Sequence, residues 1–287
     1  MDANEQFSLL FDPEITSFCD YQKRVGEIGK IFKKYYPESN FLCFFRGDEF
    51  GTKTQSKFFR EKDISEEVYI FKEGINSKKY EQFNISACSE IEQLAIMQHY
   101  GGCTRLLDFS EDPLVALRFA CGKSGVNDNK KKKITLYFTN YIKLEPNMSP
   151  TDKKVITALM QMVTSQNLDY IQDDDEETKR ILMQDYFIKI ESCSKRLKRQ
   201  KGLFLFMGNL TDQQLIEPDG KFIKEKVKHQ LSPNLGRGGK YPGFVGVLTI
   251  SENSVVQIRQ ELEQTPCYRM DYLMAEGSEN HGPTNLR

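Results

Sequence analysis

Apolar residues recur at helical spacing over residues 14–36, where Phe18, Tyr21, Val25, Ile28 and Phe32 share one face and predict an amphipathic helix. The run FLCFFRG (41–47) is different in kind. It is short, continuous and aromatic, and predicts a buried strand entering a turn at Arg-Gly. Residues 48–85 are polar and irregular, with one short helix expected near Glu66–Phe71. Ser89 and Glu92 then stand at capping-box spacing. The helix they start carries Ile91, Leu94 and Ala95 on one face and stops at Gly101-Gly102. TRLLD (104–108) reads as extended, and Asp112-Pro113 offers an N-cap followed by proline at the first helical position. From there to Cys121 the residues Leu114, Val115, Ala116, Leu117, Phe119 and Ala120 are apolar nearly all round, so this helix is expected to be buried.

Further along, GVNDNKKKK (125–133) predicts a charged hairpin tip before the strand ITLYF (134–138). Residues 151–192 have a helical pattern interrupted by DDDEE (173–177), which fits a loop or the first turn of the next helix. RLKRQKGLFLFMG (196–208) changes from basic to apolar, as a loop feeding a central strand does. NLGRGGKYPG (234–243) reads as flexible and leads into a strand, FVGVLTI, and a helix capped by Ser251 or Asn253. The last thirteen residues read as a frayed tail. Helices mixed with well-separated strands predict an α+β fold, with a mixed or antiparallel central sheet flanked by helices; a doubly wound sheet would alternate more regularly. The expected organisation is an N-terminal helical extension over 1–40, an α+β domain over 41–274 and a tail over 275–287.

Composition narrows the classes. Of 287 residues, 39% are hydrophobic and 28% charged, which is enough apolar material for a real core. A net charge of −1 supplies no global field toward nucleic acid or an anionic membrane. The seven cysteines are scattered without a CxxC pair, against a zinc site or a disulfide framework. No basic-then-apolar leader is seen, and no stretch approaches the ~18 apolar residues of a membrane span. The expectation is a cytoplasmic protein with no metal and no membrane partner.

Candidate chemistry gathers in three places. Arg46 ends a buried strand, and a buried charge is costly unless paired or solvated. It fits either a salt bridge, to Asp108 or Glu92, or recognition of a phosphate or carboxylate, with Gly47 letting a ligand come close. In QHYGGCTRLLDFSEDPLVALRFA (98–120), His99 lies at a helix C-terminus, where the dipole favours its protonated form. Tyr100 follows it, and Thr104, Arg105 and Asp108 line the extended segment. The plain alternatives are a structural histidine and an aspartate bonding backbone amides ahead of the buried helix. Third, Gln200 and Gly202 precede LFLF and place an amide and open backbone at a strand entrance. Other signals are weaker. GRGG (236–239) lacks the Lys-Ser/Thr ending of a phosphate loop, there is no GxSxG elbow, and Cys103 has no orienting group beside it. The cations of 195–201 read as a solvated surface or as a patch for a macromolecule.

Together FFRG (44–47), LAIMQHYGGCTRLLDFSEDPLVALRFA (94–120) and RQKGLFLF (199–206) resemble the FRG domain family, over roughly residues 41–210. Phe109 stands where that family often has Trp. The order of motifs is in turn similar to ADP-ribosyltransferase-like folds. That more distant resemblance implies NAD as substrate, with Arg46 and Gly47 at its pyrophosphate, His99 at a ribose hydroxyl and Tyr100 beside the nicotinamide. It implies a floor shaped by Thr104, Arg105 and Asp108. Gln200 and Gly202 then lie where transferases carry a polar group and a catalytic glutamate, and this chain has Lys201-Gly202 instead. The function implied is an ADP-ribosyltransferase or NAD glycohydrolase of a bacterial defence or toxin system. His99, Asp108 and Gln200 form its catalytic set, and a protein or nucleic acid is the acceptor. The alternatives are a nucleotide sensor without turnover and a module that binds protein or nucleic acid.

Overall fold

Ser17 opens the helix of residues 18–35: its Oγ accepts the Asp20 amide at 3.1 Å, a side-chain cap that satisfies one of the orphan donors of a helix start. Residues 10–11, 13–37, 42–52, 54–122, 130–165, 176–182, 184–190, 194–208 and 244–275 are described by the structure, a computed structural model. The helices in chain order are α1 (Phe18–Tyr35), α2 (Lys57–Glu61), α3 (Glu67–Ile75), α4 (Glu90–His99), α5 (Pro113–Cys121), α6 (Pro150–Thr164), α7 (Glu176–Leu182), α8 (Lys195–Arg199), α9 (Val255–Glu263) and α10 (Met270–Met274). The strands are β1 (Leu42–Glu49), β2 (Leu106–Ser110), β3 (Lys132–Thr139), β4 (Ile142–Lys143), β5 (Tyr186–Lys189), β6 (Gly202–Phe206) and β7 (Phe244–Ile250).

The fold is α+β, as the pattern predicts. Seven strands form one sheet in the order β4-β5-β6-β2-β1-β3-β7, antiparallel at every pairing except β4 with β5. Strand alternation distributes the side chains. Phe44, Leu107, Phe109, Phe187, Leu203, Leu205 and Met207 form one continuous layer. Two separate clusters take the alternate positions. One joins Leu106, Tyr186, Ile188, Phe204 and Phe206 to α4 and α6. The other joins Phe45, Ile134, Leu136, Leu248 and Ile250 to α1, α5 and α9.

Between these halves the sheet is thinly joined. β1 and β2 share one register pair, Phe45 opposite Ser110. By contrast β1 pairs with β3 over eight residues and β2 with β6 over five.

Several expectations shift. β1 does not turn at Arg46-Gly47 but runs on to Glu49, because Gly47, Asp48 and Glu49 keep their partners Ile134, Lys133 and Lys132. Lys130 pairs with Glu49 at 2.9 Å and Lys131 with Glu14 at 2.6 Å, so these lysines are more than a solvated tip. The helical pattern of 151–192 holds for α6 and α7 but gives way to β5, where Phe187 faces one side of the sheet and Tyr186 and Ile188 the other. The basic stretch before β6 forms the short helix α8 rather than a loop. The expectations for 125–129, 173–175, 234–243 and 276–287 lie outside the described residues. Among the described residues, no helix is long and apolar enough to cross a membrane.

Candidate functional site

The site begins where α4 ends. Gly102 N–H donates to the Met97 carbonyl at 2.7 Å and Gly101 N–H to that of Gln98 at 3.0 Å. Gly101 has φ +77°, so the two bonds form a Schellman closure that only a glycine enters without strain. This fixes Gln98 and His99 on a rigid end. The capping box of Ser89 and Glu92 holds the other end of the helix.

From Gln98 a short relay runs to β2. Thr104 Oγ1 donates to Gln98 Oε1 at 2.7 Å, and Gln98 Nε2 donates to Asp108 Oδ2, also at 2.7 Å. The Asp108 carboxylate is exposed but held in one direction. Its carbonyl accepts Arg46 Nη1 at 2.8 Å, across the gap where β1 and β2 part. Arg46 Nε and Nη2 form a fork on Asp48, each at 2.9 Å. Its charge is therefore matched by Asp48, not by the Asp108 carboxylate or Glu92.

Gly47 has a packing reason. A Cβ there would lie 2.0 Å from the Ala116 carbonyl oxygen and 2.8 Å from the Ala120 Cβ, so its bare α-carbon lets α5 lie close on β1. At the start of α5, Asp112 accepts the Leu114 amide at 2.9 Å, with Pro113 at the first position. Ser110 Oγ accepts the Asp112 amide at 2.9 Å and donates to the Gln200 carbonyl at 2.6 Å, tying α5 to the entrance of β6.

These elements enclose a cleft of about 450 Å³. Its walls include Arg46, Gly47, Gln98, His99, Asp108 and Gln200, together with Phe45, Val115 and Phe119. Three more cations line it, Lys57 and Arg60 of α2 and Arg196 of α8. None of the three has a carboxylate partner among the described residues, while Asp108 is the one carboxylate in the lining. Arg60 reaches the Gln55 carbonyl at 3.2 Å. Arg196 Nε is shut off from solvent with no hydrogen-bond partner.

His99 is buried, with Nε2 3.0 Å from Ser194 Oγ. Burial and then the positive charge of Arg196 push its pKa down to about 4, so the imidazole is neutral at pH 7. This reverses the charge state expected from its helix end, because the loss of hydration outweighs the dipole.

The chain thus brings Arg46, Gly47, His99, Asp108 and Gln200 to one cleft and leaves four of the sequence candidates outside its lining. Tyr100 stacks on Phe83 at 4.1 Å, against the core. Thr104 is buried behind Gln98. Arg105 is fully buried, donating through Nε to Glu67 at 2.6 Å and through Nη1 to the Met207 carbonyl at 3.0 Å. Gly202 accommodates Leu197 and borders a separate recess of about 280 Å³ with Glu111, Lys189 and Lys201. Gln200 lines the cleft, yet its Nε2 donates to the Leu273 carbonyl at 3.0 Å.

Sequence reasoning passes over Gln98, Lys57 and Arg60, and reads Arg196 only as one of the surface or patch cations of 195–201. For Gln98 the signal was present in its spacing, one residue before His99 and ten before Asp108. For Lys57 and Arg60 there was little, since both lie in a segment of ordinary surface composition.

Residues 42–129 match the family model of the FRG domain, a span from β1 through α5. Arg196 and Gln200 lie beyond the matched residues. Neither a curated protein nor a solved structure matches the chain.

Proposed function

We propose, taking the FRG match over residues 42–129 as the premise, that this cleft binds a phosphate-bearing nucleotide and that NAD is the ligand. The observation that carries the proposal is the charge of the lining: Lys57, Arg60 and Arg196 have no carboxylate partner among the described residues, and Asp108, the single acid these contribute, is already held by Gln98. Cations that line a cleft without counter-charges, Lys57 and Arg196 half-buried and Arg60 exposed, favour an anion, and guanidinium groups suit phosphate oxygens in particular. A cleft of about 450 Å³ lies within the usual range for small-molecule sites.

On this reading the chemistry is ADP-ribosyl transfer or NAD hydrolysis. The bond from the nicotinamide nitrogen to the ribose carbon breaks, nicotinamide leaves with the electron pair, and the sugar carbon gains oxocarbenium character. Asp108, oriented through Gln98 and Thr104, is the group suited to stabilise that positive charge. Neutral His99 can hydrogen-bond a ribose hydroxyl without adding a like charge to the sugar. Water or a nucleophile of a macromolecule then bonds to the sugar carbon, taking the ADP-ribosyl group and giving up its proton to solvent.

A second reading, nucleotide sensing without turnover, is favoured by Gln200. Its side-chain nitrogen is committed to the Leu273 carbonyl, and Lys201-Gly202 follow it rather than an acid. Incubation of the pure protein with NAD, with and without cell extract, separates the two. Release of nicotinamide that falls at least about 100-fold in Asp108→Asn, with NAD affinity retained, supports the enzyme. Saturable NAD binding with no nicotinamide released leaves the sensor. No binding of NAD overturns both.

A further inference from the structure

We infer that the phosphate-holding part of the cleft is formed by Lys57, Arg60 and Arg196 rather than by Arg46, and that it takes a ligand with two adjacent phosphates. The inference rests on the reading of the cleft as a nucleotide site and assigns its polar end.

The argument starts from what each cation already has. Arg46 is satisfied: Nε and Nη2 grip both oxygens of Asp48, and Nη1 serves the Asp108 carbonyl. To bind a phosphate it would have to abandon a fork of matching geometry. Arg196 is in the opposite condition. Its Nε is enclosed, without a partner and without solvent. Its guanidinium lines the cleft and has no ion pair among the described residues, so an anion there would meet no competing carboxylate on it. Arg60 has a single carbonyl contact, and Lys57 has neither a hydrogen bond nor an ion pair among the described residues.

The placement is also suited to a diphosphate. Lys57 and Arg60 are three residues apart on α2, a spacing that puts two side chains on one helix face. Arg196 comes from α8, far along the chain, so the charges converge from two separate elements on one cleft. Nearby Lys62 is excluded from the set, since Glu66 takes its ammonium at 3.1 Å. His99, beside Arg196, is neutral and adds no competing charge.

Titration calorimetry on the full chain tests this, with inorganic pyrophosphate and ADP-ribose as probes and circular dichroism as the check on folding. Pyrophosphate is expected to bind the wild-type protein and to be displaced by ADP-ribose. Arg196→Gln, and Lys57→Gln with Arg60→Gln, should each weaken it about ten-fold or more, the loss of a charge-assisted contact. Arg46→Lys keeps the charge but not the fork and should leave affinity within about three-fold. The inference is overturned if Arg46→Lys weakens pyrophosphate while Arg196→Gln does not. It is also overturned if ADP-ribose binds all the variants equally, an outcome in which the nucleotide reading survives. If pyrophosphate binds and depends on Arg196 but ADP-ribose fails to displace it, the phosphate subsite stands and the nucleotide reading falls.

Discussion

Arg105 and Arg196 are held in opposite ways. Arg105, fully buried, meets Glu67 with two nitrogens, the Met207 carbonyl with a third, and the rings of Phe59 and Phe206 at 5.4 and 5.2 Å. Arg196 lines the cleft, and its Nε has no hydrogen-bond partner among the described residues. Residue type does not tell them apart. What separates them is the counter-charge: a matched cation holds elements together, and an unmatched one in a cleft is available to a ligand.

The hardest test of that contrast is at Glu67. Glu67→Gln should destabilise the fold by about 3–5 kcal/mol in urea unfolding, because it leaves Arg105 buried without its carboxylate. Arg105→Met combined with Glu67→Leu should recover most of that loss. A single variant as stable as wild type would mean that Arg105 is not the matched structural cation described here.

His99 gives an intermediate case, a buried base kept neutral. Its folded-state pKa of about 4 lies below the ordinary value of 6.5, so between those values the unfolded chain binds more protons. Its contribution is complete above pH 6.5 and is lost as the pH falls toward 4. The pH dependence attributable to His99 should amount to at most about 3 kcal/mol over that window. It should be flatter in His99→Gln than in wild type when urea midpoints are measured from pH 7 to 4.5. An unchanged slope would show that His99 titrates near its ordinary value.

The smallest expected effect falls on the other side of the comparison. Arg196→Gln removes a charge that no carboxylate among the described residues meets, so its unfolding free energy in urea should stay within about 0.5 kcal/mol of wild type. A loss of several times that size would place Arg196 with Arg105.

Much of the frame is legible in the sequence. The capping box at Ser89 and Glu92, the glycine stop after His99, and the Asp112-Pro113 start of α5 are local rules, met by residues adjacent in sequence. Arg46, His99, Asp108 and Gln200 all fall on one cleft. Charge matching was not legible, because it depends on pairs far apart: Glu67 with Arg105, or α2 facing the same space as α8. Asp48 was near enough to suggest itself as the partner of Arg46, but only the continuation of β1 through Gly47 puts both side chains on one side of the strand. β5 was hidden for a similar reason. Its four residues sit next to a helical pattern, and only a sheet already formed gives them partners.

The single ladder pair between β1 and β2 has a mechanical meaning. It divides the sheet into two plates, β4-β5-β6-β2 and β1-β3-β7, each bedded on its own apolar cluster. On the opposite side one aromatic layer runs unbroken across the seam, and Arg46 spans it as a strut to the Asp108 carbonyl. The cleft opens at this joint. A ligand there would touch both plates at once, Arg46 and Gly47 on one and Asp108 on the other, and so would grip the seam of the molecule.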